Sequence, residues 1–326
     1  MDTRPIVATV IGDPCGVGPE ICVKALATGE PHAGSRPVLV GSVEAVRMAL
    51  ESTSTGLGAR RITDIGAAQY DPTVVDVLDP EPLAASDVTV GRPSGVCGGA
   101  TVSWIRLADQ LATDGQVAAC VIAPISSEAL KMMDPPMGVD DVQPPGTVMF
   151  RVSGGLRVLA LSEHIPLRDV PDDVTCARIV EVVGIGAAAF GRWGVSDPHY
   201  AVAGLNAHAM GVEEEQIAEA IEVLRARGFH MTGPLAPDSV FRQCLEGQFD
   251  LVVSMYHDQG QIALKTAAFE GACTIYLGAP HLRLTIPHGT AFDIAGQGVA
   301  QHRSMLAAMN LAGQLAAGEG FSMTAP

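Results

Sequence analysis

Three histidines lie where apolar segments give way to turn-forming residues, and together they could bind a metal ion. They are His164, His208 and His257, which follow the segments 156–163, 200–206 and 250–256. In open α/β sheets, ligands bind outside the carboxyl ends of the strands. Three imidazoles at such an edge would form a divalent-metal site with an open coordination position, as a catalytic metal requires. A histidine hydrogen-bonded within its own loop is the simpler interpretation of each residue alone, but their shared placement favours the metal site.

The densest polar cluster surrounds the third of these histidines. His257 is followed by Asp258, Gln259 and Gly260 directly after an apolar run. Asp258 could bind the metal, orient His257 as a hydrogen-bond partner, or simply cap a following helix. Asn206 before His208 is equally compatible with an Asx turn. The acidic residues 213–215 are predicted to form the first turn of a helix, where carboxylates stabilise the helix dipole.

The elements that must position these residues alternate between strand and helix patterns. Buried strands are predicted at 5–11, 37–41, 74–78, 117–122, 156–162, 200–205, 250–255 and 272–277, and helices at 21–26, 42–51, 99–113, 173–188, 213–228 and 237–246. This alternation predicts an α/β fold with a mostly parallel sheet. The segment 132–147 contains four prolines and has the weakest helix or strand pattern of the chain. We expect it to be a lid, or a junction between two lobes that share a cleft.

Composition and charge exclude several classes of protein. Nearly half of the 326 residues are apolar and 17% are charged, which excludes a disordered chain. Acidic side chains outnumber basic ones by 36 to 20, and the net charge of −16 argues against nucleic-acid binding. The seven cysteines form no CxxC pair, which favours reduced thiols in a cytoplasmic protein. A signal peptide or membrane span is not predicted from the sequence.

Two further regions could bind a small anionic ligand. Gly12–Gly18 is a glycine-rich loop between a predicted strand and helix, although its glycine spacing differs from the dinucleotide-binding fingerprint. Gly289-Thr290 is predicted to be a loop that enters a helix and offers backbone N–H groups. Arg283 could clamp a carboxylate or phosphate bidentately, or it could form an ordinary surface ion pair.

Seven motifs in order along the chain resemble those of the 4-hydroxythreonine-4-phosphate dehydrogenase (PdxA) family. They are GDPxGxGPE (12–20), APIxxEAL (123–130), HIPLxDVP (164–171), GLNxHA (204–209), GPLxxD (233–238), MYHDQGxxxLK (255–265) and HGTAxDIAGxG (288–298). The resemblance implies an isopropylmalate-dehydrogenase-like fold with two α/β/α lobes around a cleft. The implied first lobe is 1–125 plus 280–326, and the second, with the metal ligands and dimer contacts, is 126–279.

The resemblance also implies a homodimer with shared active sites, in which one of the three histidine ligands comes from the partner subunit. It implies NAD as cofactor and a divalent metal, zinc first, with magnesium, manganese or cobalt as alternatives. The implied roles are metal binding for His164, His208 and His257; catalysis for Asp238 and Lys265; substrate binding for Lys265, Thr274 and Arg283; and cofactor binding for Gly278, His288, Gly289, Thr290 and Asp293.

Two segments depart from the family pattern on the substrate side. Residues 137–145 replace the GHTE segment of the family and contain no histidine, and the loop at 210–212 is shortened. The resemblance implies oxidation of a secondary alcohol β to a carboxylate, with decarboxylation as a possible further step. The substrate would be 4-hydroxythreonine phosphate, in pyridoxine biosynthesis, or another hydroxy acid such as phosphothreonate or the cis-dihydrodiol of terephthalate. A non-catalytic binding protein is the remaining alternative.

Overall fold

The computed structural model of the protein describes residues 2–268 and 270–321. The chain divides into two compact units, the first comprising Met1–Pro145 with Ala279–Ala317 and the second Gly146–Gly278 with Gly318–Pro326. The expected division at residue 126 precedes the observed one. The reason is that Leu130 and Val142 pack with Val102 in a buried cluster of the first unit.

The helices and strands are numbered here in chain order. The strands are β1 (Ile6–Val10), β2 (Arg36–Val40), β3 (Gly58–Ile62), β4 (Val74–Leu78), β5 (Ala119–Ile122), β6 (Val148–Ser153), β7 (Leu156–Ser162), β8 (Tyr200–Ala203), β9 (Met231–Leu235), β10 (Leu251–Tyr256), β11 (Cys273–Leu277) and β12 (Leu282–Thr285). The α-helices are α1 (Gly18–Ala27), α2 (Glu30–Gly34), α3 (Val43–Thr53), α4 (Gly95–Thr113), α5 (Ser127–Lys131), α6 (Val170–Asp173), α7 (Cys176–Arg192), α8 (Glu213–Ala226), α9 (Val240–Leu245), α10 (His257–Ala267) and α11 (Arg303–Ala316).

The sheet of the first unit is parallel throughout. Its strand order is β3-β4-β2-β1-β5-β12. Strands β1, β2 and β5 are almost entirely buried, and helices α4 and α11 both contact β1 and β5. Strands covered in this way are apolar along their whole length rather than alternating, which explains why their sequences read as continuous apolar runs.

The sheet of the second unit contains one reversed strand. Its order is β11-β6-β7-β10-β8-β9, with β6 antiparallel to both of its neighbours and the other pairings parallel. The connection from β6 to β7 is a two-residue turn, Gly154-Gly155, in which both residues have positive φ. Such a turn favours glycine because other residues rarely adopt this conformation.

The prediction of an α/β fold with a mostly parallel sheet is confirmed. Strands β7 and β8 lie within the predicted segments, and β10 extends one residue beyond its predicted end at 255. Strands β3, β6, β9 and β12 were not predicted. Strand β3 is half-exposed and contains two arginines, and β9 contains a glycine and a proline, so neither has the apolar pattern on which the prediction depends.

Among the described residues, no single helix is long and apolar enough to cross a lipid bilayer. One bent combination, Leu167–Asp173 with Cys176–Arg192, meets the length and composition requirements together, with an angle of 88° at the break.

Candidate functional site

The candidate site of the second unit is built on the carboxyl ends of three adjacent strands. Strand β10 lies between β7 and β8 and is parallel to both, so the three strands end at the same edge of the sheet. Glu163 and His164 follow β7, His257 follows β10, and the loop containing His208 follows β8. The sheet therefore delivers these side chains to one region.

Glu163, His164 and His257 form a group that could hold a metal ion. One ligand atom from each lies within 4.8 Å of those of the other two, and the imidazole rings of the two histidines have centroids 5.4 Å apart. Two imidazole nitrogens and one carboxylate oxygen are a donor set found in zinc sites that keep an open position. His208 does not belong to this group.

Arg151 holds Glu163 in place from the neighbouring strand β6. Its guanidinium donates from Nη1 to Oε1 of Glu163 at 2.9 Å and from Nη2 to Oε2 at 2.6 Å. The arginine side chain is 3% exposed, so this bidentate pair is shielded on its cationic side. A planar, pre-organised fork of this kind fixes the carboxylate plane. Neither residue was predicted from the sequence to belong to the site, although Glu163 directly precedes a candidate ligand.

Asp258 orients the ring of His257. Its Oδ1 lies 2.7 Å from Nδ1 of His257. Because a carboxylate only accepts hydrogen bonds, this contact assigns the proton to Nδ1 and leaves Nε2 of a neutral ring as the free donor atom for a metal. The helix cap considered for Asp258 is wrong, since α10 begins at His257 with Tyr256 as its N-cap.

Gln259 connects two of the three strand ends. Its side-chain amide donates to the carbonyl oxygen of Gly204 at 2.9 Å, and its Oε1 accepts from the backbone N–H of Met255 at 2.7 Å. The following residue must be small, because a Cβ at Gly260 would lie 2.6 Å from Cγ1 of Val158 on β7. Gln259 and Gly260 thus set the position at which α10 leaves the sheet.

His208 lies on an exposed turn with a left-handed backbone conformation, φ 58°. The base of this loop is fixed by Asn206, whose N–H donates to Glu214 at 2.9 Å and whose side-chain amide donates to Glu213 at 3.0 Å. The Asx turn considered for Asn206 is wrong, because its side chain makes no capping hydrogen bond. The predicted acidic first turn is confirmed by α8, which begins at Glu213.

The other predicted residues of the second unit lie on separate elements and do not belong to this group. Lys265 is exposed in the last turn of α10, and Asp238 is exposed in the turn that follows β9. Thr274 is 5% exposed on β11, in register with Arg151 of β6. Gly278 follows β11 and has positive φ.

Arg283 is not a surface residue. Its side chain is 5% exposed and donates from Nη1 to Oδ2 of Asp109 at 2.8 Å and from Nη2 to the carbonyl oxygen of Val142 at 2.7 Å. The other carboxylate oxygen of Asp109 lies 3.0 Å from Nε2 of His281. Asp109, His281 and Cys120 also fall within metal-binding distance of one another. All three members of this group are already engaged. Asp109 accepts from Arg283, Nε2 of His281 lies against Asp109, and the Cys120 thiol donates to the carbonyl oxygen of Ala108 at 3.1 Å, so the group is an internal network of the first unit.

The segment 288–293 is an irregular loop. Gly289 and Asp293 are exposed, whereas Thr290 is 9% exposed and its carbonyl oxygen accepts from the N–H of Val17 at 2.9 Å. The helix expected after Thr290 is absent: turns follow, and the next helix is α11, which begins at Arg303. Gly296 and Gly298 both have positive φ, which is incompatible with a continuous helix through them.

Comparison with known proteins identifies the family. Residues 33–312 match the profile of the family described as Pyridoxal phosphate biosynthetic protein PdxA. The chain belongs to the PdxA family. A protein of Novosphingobium aromaticivorans provisionally named 4-hydroxythreonine-4-phosphate dehydrogenase is 44% identical over 319 residues, covering 98% of this chain and 97% of that protein.

Two further relatives support the assignment. A protein of Halalkalibacterium halodurans provisionally named D-threonate 4-phosphate dehydrogenase is 36% identical, with 97% of this chain and 98% of that protein covered. The crystal structure of 4-hydroxythreonine-4-phosphate dehydrogenase from Klebsiella pneumoniae superposes with a TM-score of 0.86 at 36% identity, covering 96% of this chain and 98% of that one. The predicted family and fold class are confirmed, and the PdxA relatives identify the chain as a dehydrogenase acting on a CH–OH group.

Proposed function

We propose that this PdxA-family dehydrogenase is metal-dependent and NAD-linked, and that it oxidises a secondary alcohol β to a carboxylate in a small anionic substrate. The observation that carries the proposal is the convergence of Glu163, His164 and His257 at adjacent strand ends. We further propose a cytoplasmic homodimer, in which His164 and His257 of one subunit and His208 of the other complete each metal site. The exposed position of His208 is compatible with a ligand that acts across a subunit interface.

The donor set fits a divalent metal. His164 and His257 supply imidazole nitrogens, Asp258 keeps the second in the tautomer that leaves Nε2 free, and Arg151 orients the nearby Glu163 carboxylate. These ligands suit zinc, with cobalt, manganese or magnesium as alternatives. When bound, such a metal would act as a Lewis acid that stabilises negative charge developing on substrate oxygens during oxidation and decarboxylation.

Residues of this chain would bind the substrate and transfer its proton. The Lys265 ammonium and the Thr274 hydroxyl are proposed to contact the anionic end of the substrate, and the exposed Asp238 carboxylate to accept the hydroxyl proton. Arg283 remains a proposed substrate contact. In the structure it donates to Asp109 and Val142, so binding an anion would require it to exchange one of these partners.

The nicotinamide cofactor would accept the hydride from the alcohol carbon, and it is proposed to bind at Gly278, His288, Gly289, Thr290 and Asp293. A cavity of about 340 Å³ in the first unit supports cofactor binding near the last of these residues. Its lining includes Pro14 and Gly16 of the glycine-rich loop together with Ala295 and Gly296. This volume is within the range of small-molecule sites.

The substrate class favoured here is a four-carbon hydroxy acid with a terminal phosphate. The names of two relatives, 4-hydroxythreonine-4-phosphate dehydrogenase and D-threonate 4-phosphate dehydrogenase, share that phosphate. Segment 137–145 lacks a histidine, and in the structure Val142 within it binds Arg283 through its carbonyl oxygen. The name of the second relative makes phosphothreonate-like substrates the second candidate beside the vitamin-pathway substrate.

NAD⁺ reduction across a substrate panel tests the activity. The panel contains 4-hydroxythreonine phosphate, phosphothreonate, their unphosphorylated forms and an aromatic cis-dihydrodiol. We expect turnover of a phosphorylated acid that is lost on exhaustive chelation and restored by zinc or manganese. Activity that survives complete metal removal would contradict the metal proposal, and failure of every substrate to reduce NAD⁺ would favour a binding protein.

Metal binding can be measured without turnover. We expect His257→Asn to abolish stoichiometric metal binding, whereas His230→Asn should leave it unchanged because that ring stacks on His199 at 3.6 Å, away from the cluster.

A second experiment tests whether the active sites are shared between subunits. The His164→Ala and His208→Ala subunits are unfolded together and refolded as a mixture. Because only the heterodimer would contain an intact site, and one per dimer, random pairing should restore about one quarter of the original activity. Recovery absent from verified heterodimers would contradict shared sites.

A further inference from the structure

Two thiols of the first unit lie side by side in its interior. Sγ of Cys15 is 3.4 Å from Sγ of Cys97, and both residues are fully buried. Cys15 lies in the glycine-rich loop that joins β1 to α1, whereas Cys97 lies in the first turn of α4. Formation of an S–S bond of about 2.05 Å would require the sulfurs to approach by little more than 1 Å.

The two thiols differ in acidity. A hydrogen bond from the Cys15 thiol is the largest effect on the pKa of Cys97 and, with a smaller contribution from Ser94, lowers it to about 7 despite burial. The pKa of Cys15 is raised above its usual range by the same interaction and by burial. Cys97 also lies in the first turn of α4, where the helix dipole stabilises a thiolate. We therefore expect Cys97 to react first and Cys15 to follow.

A cavity of the first unit lies beside this pair. The cavity of about 340 Å³ that is lined by Pro14 and Gly16, on either side of Cys15, is also lined by Met48. Met48 packs against the cluster formed by Cys15, Val88 and Cys97. The cavity thus shares Met48 and the residues flanking Cys15 with the surroundings of the two thiols.

We propose that Cys15 and Cys97 form a dithiol modification site that hydrogen peroxide converts into an intramolecular disulfide. The Cys97 thiolate attacks one peroxide oxygen, the O–O bond breaks, and the departing hydroxide takes a proton to leave as water. The resulting sulfenic acid is attacked by Cys15, an S–S bond forms, and the sulfenic hydroxyl leaves as a second water with the Cys15 proton. Hydrogen peroxide gains two electrons and the two thiols lose two.

The disulfide would displace a loop that is tied to the proposed cofactor segment. Cys15 accepts a hydrogen bond from Gly91 at 2.8 Å through its carbonyl oxygen, and Val17, two residues later, donates to Thr290 at 2.9 Å. Drawing Cys15 toward α4 moves this loop relative to Thr290. We expect NAD⁺ binding to weaken about tenfold, a coupling typical of linked sites. This consequence rests on the proposed function, whereas the disulfide itself does not.

The test uses the full-length reduced protein and hydrogen peroxide. After oxidation, the remaining thiols are alkylated under denaturing conditions, and intact and peptide masses are measured. Of the six cysteines that remain after Cys176→Ser, we expect two to escape alkylation and the peptides containing Cys15 and Cys97 to be joined until dithiothreitol is added. Cys176→Ser serves as the background, because the Cys176 side chain is only half-buried and could cross-link between molecules.

Single substitutions then assign the roles of the two thiols. Cys15→Ser should stop the reaction at a Cys97 sulfenic acid that dimedone traps, whereas Cys97→Ser should leave Cys15 reduced. Cys273→Ser, which removes a buried thiol without a thiol neighbour, should leave disulfide formation unchanged. Absence of the joined peptide, or equal dimedone labelling of both variants, would overturn the proposal. Disulfide formation with unchanged NAD⁺ affinity would retain the modification site and reject only its link to the cofactor.

Discussion

Asp13 is a buried carboxylate whose protonation should be visible in the stability of the protein. It lies in the glycine-rich loop, is 1% exposed, and accepts one hydrogen bond at Oδ1 from the N–H of Cys15 at 2.9 Å. Its other oxygen has no hydrogen-bond partner among the described residues. Burial raises the pKa of Asp13 from 3.8 to about 6. The folded protein thus holds this proton more tightly than the unfolded chain does.

The sign and size of the effect follow from that shift. A carboxyl group with a raised pKa in the folded state contributes most to stability at low pH, and this contribution is lost as pH rises through about 6. A shift of about two units corresponds to roughly 3 kcal/mol, of which about 2 kcal/mol is lost between pH 4.5 and 7.5. Asn retains the acceptor for Cys15 but cannot ionise. The stability of Asp13→Asn relative to the original protein should therefore be about 2 kcal/mol more favourable at pH 7.5 than at pH 4.5.

Urea unfolding at the two pH values measures this difference. The difference between the two pH values is more informative than the change in the free energy of unfolding at one pH. The reason is that the Asn amide also lacks a second hydrogen-bond partner, and its burial carries a desolvation cost of its own. Glu51→Gln on the exposed face of α3 is the matched control for the removal of one carboxylate. The reasoning would be refuted if Asp13→Asn had the same effect at both pH values, or if its advantage were larger at pH 4.5.

Two further substitutions test the candidate site. Asp258→Asn should weaken metal binding by about 10- to 100-fold in a competition titration, since it removes the carboxylate that orients His257; unchanged affinity would show that the ring does not need this partner. Gly260→Ala should lower the free energy of unfolding by about 1–3 kcal/mol because its Cβ would lie 2.6 Å from Val158. Adding Val158→Ala should recover part of that loss in a double-mutant cycle, and strictly additive losses would contradict the proposed clash.

The strand ends could be predicted from the sequence because the pattern that marks them is local. An apolar run that stops at His164 or His257 is visible in a few consecutive residues, and the rule that parallel strands end at one edge supplies the rest. Arg151 could not be predicted as part of the site. It reaches Glu163 only through the antiparallel pairing of β6 with β7, and the segment before β6 is rich in proline. The Gly154-Gly155 turn was the available signal for that hairpin.

Long-range partners and backbone irregularity account for the remaining differences. The guanidinium of Arg283 is paired with Asp109, which lies far away in sequence and becomes a neighbour only when α4 packs on the sheet. The helix expected after Thr290 is absent because Gly296 and Gly298 adopt conformations that helices exclude. Intrinsic preference is a weak guide where glycines set the backbone path.

The side chain of Gln259 joins the loop that follows β8 to the helix that follows β10. It anchors the backbone at Gly204, before the loop that carries His208, to the first turn of α10. Changes in the length of the chain beyond Gly204, such as the short loop at 210–212, should therefore leave the position of His257 unchanged. An evolving enzyme could lengthen, trim or exchange that loop to accommodate a new substrate while the imidazole on α10 stays where the amide anchor holds it.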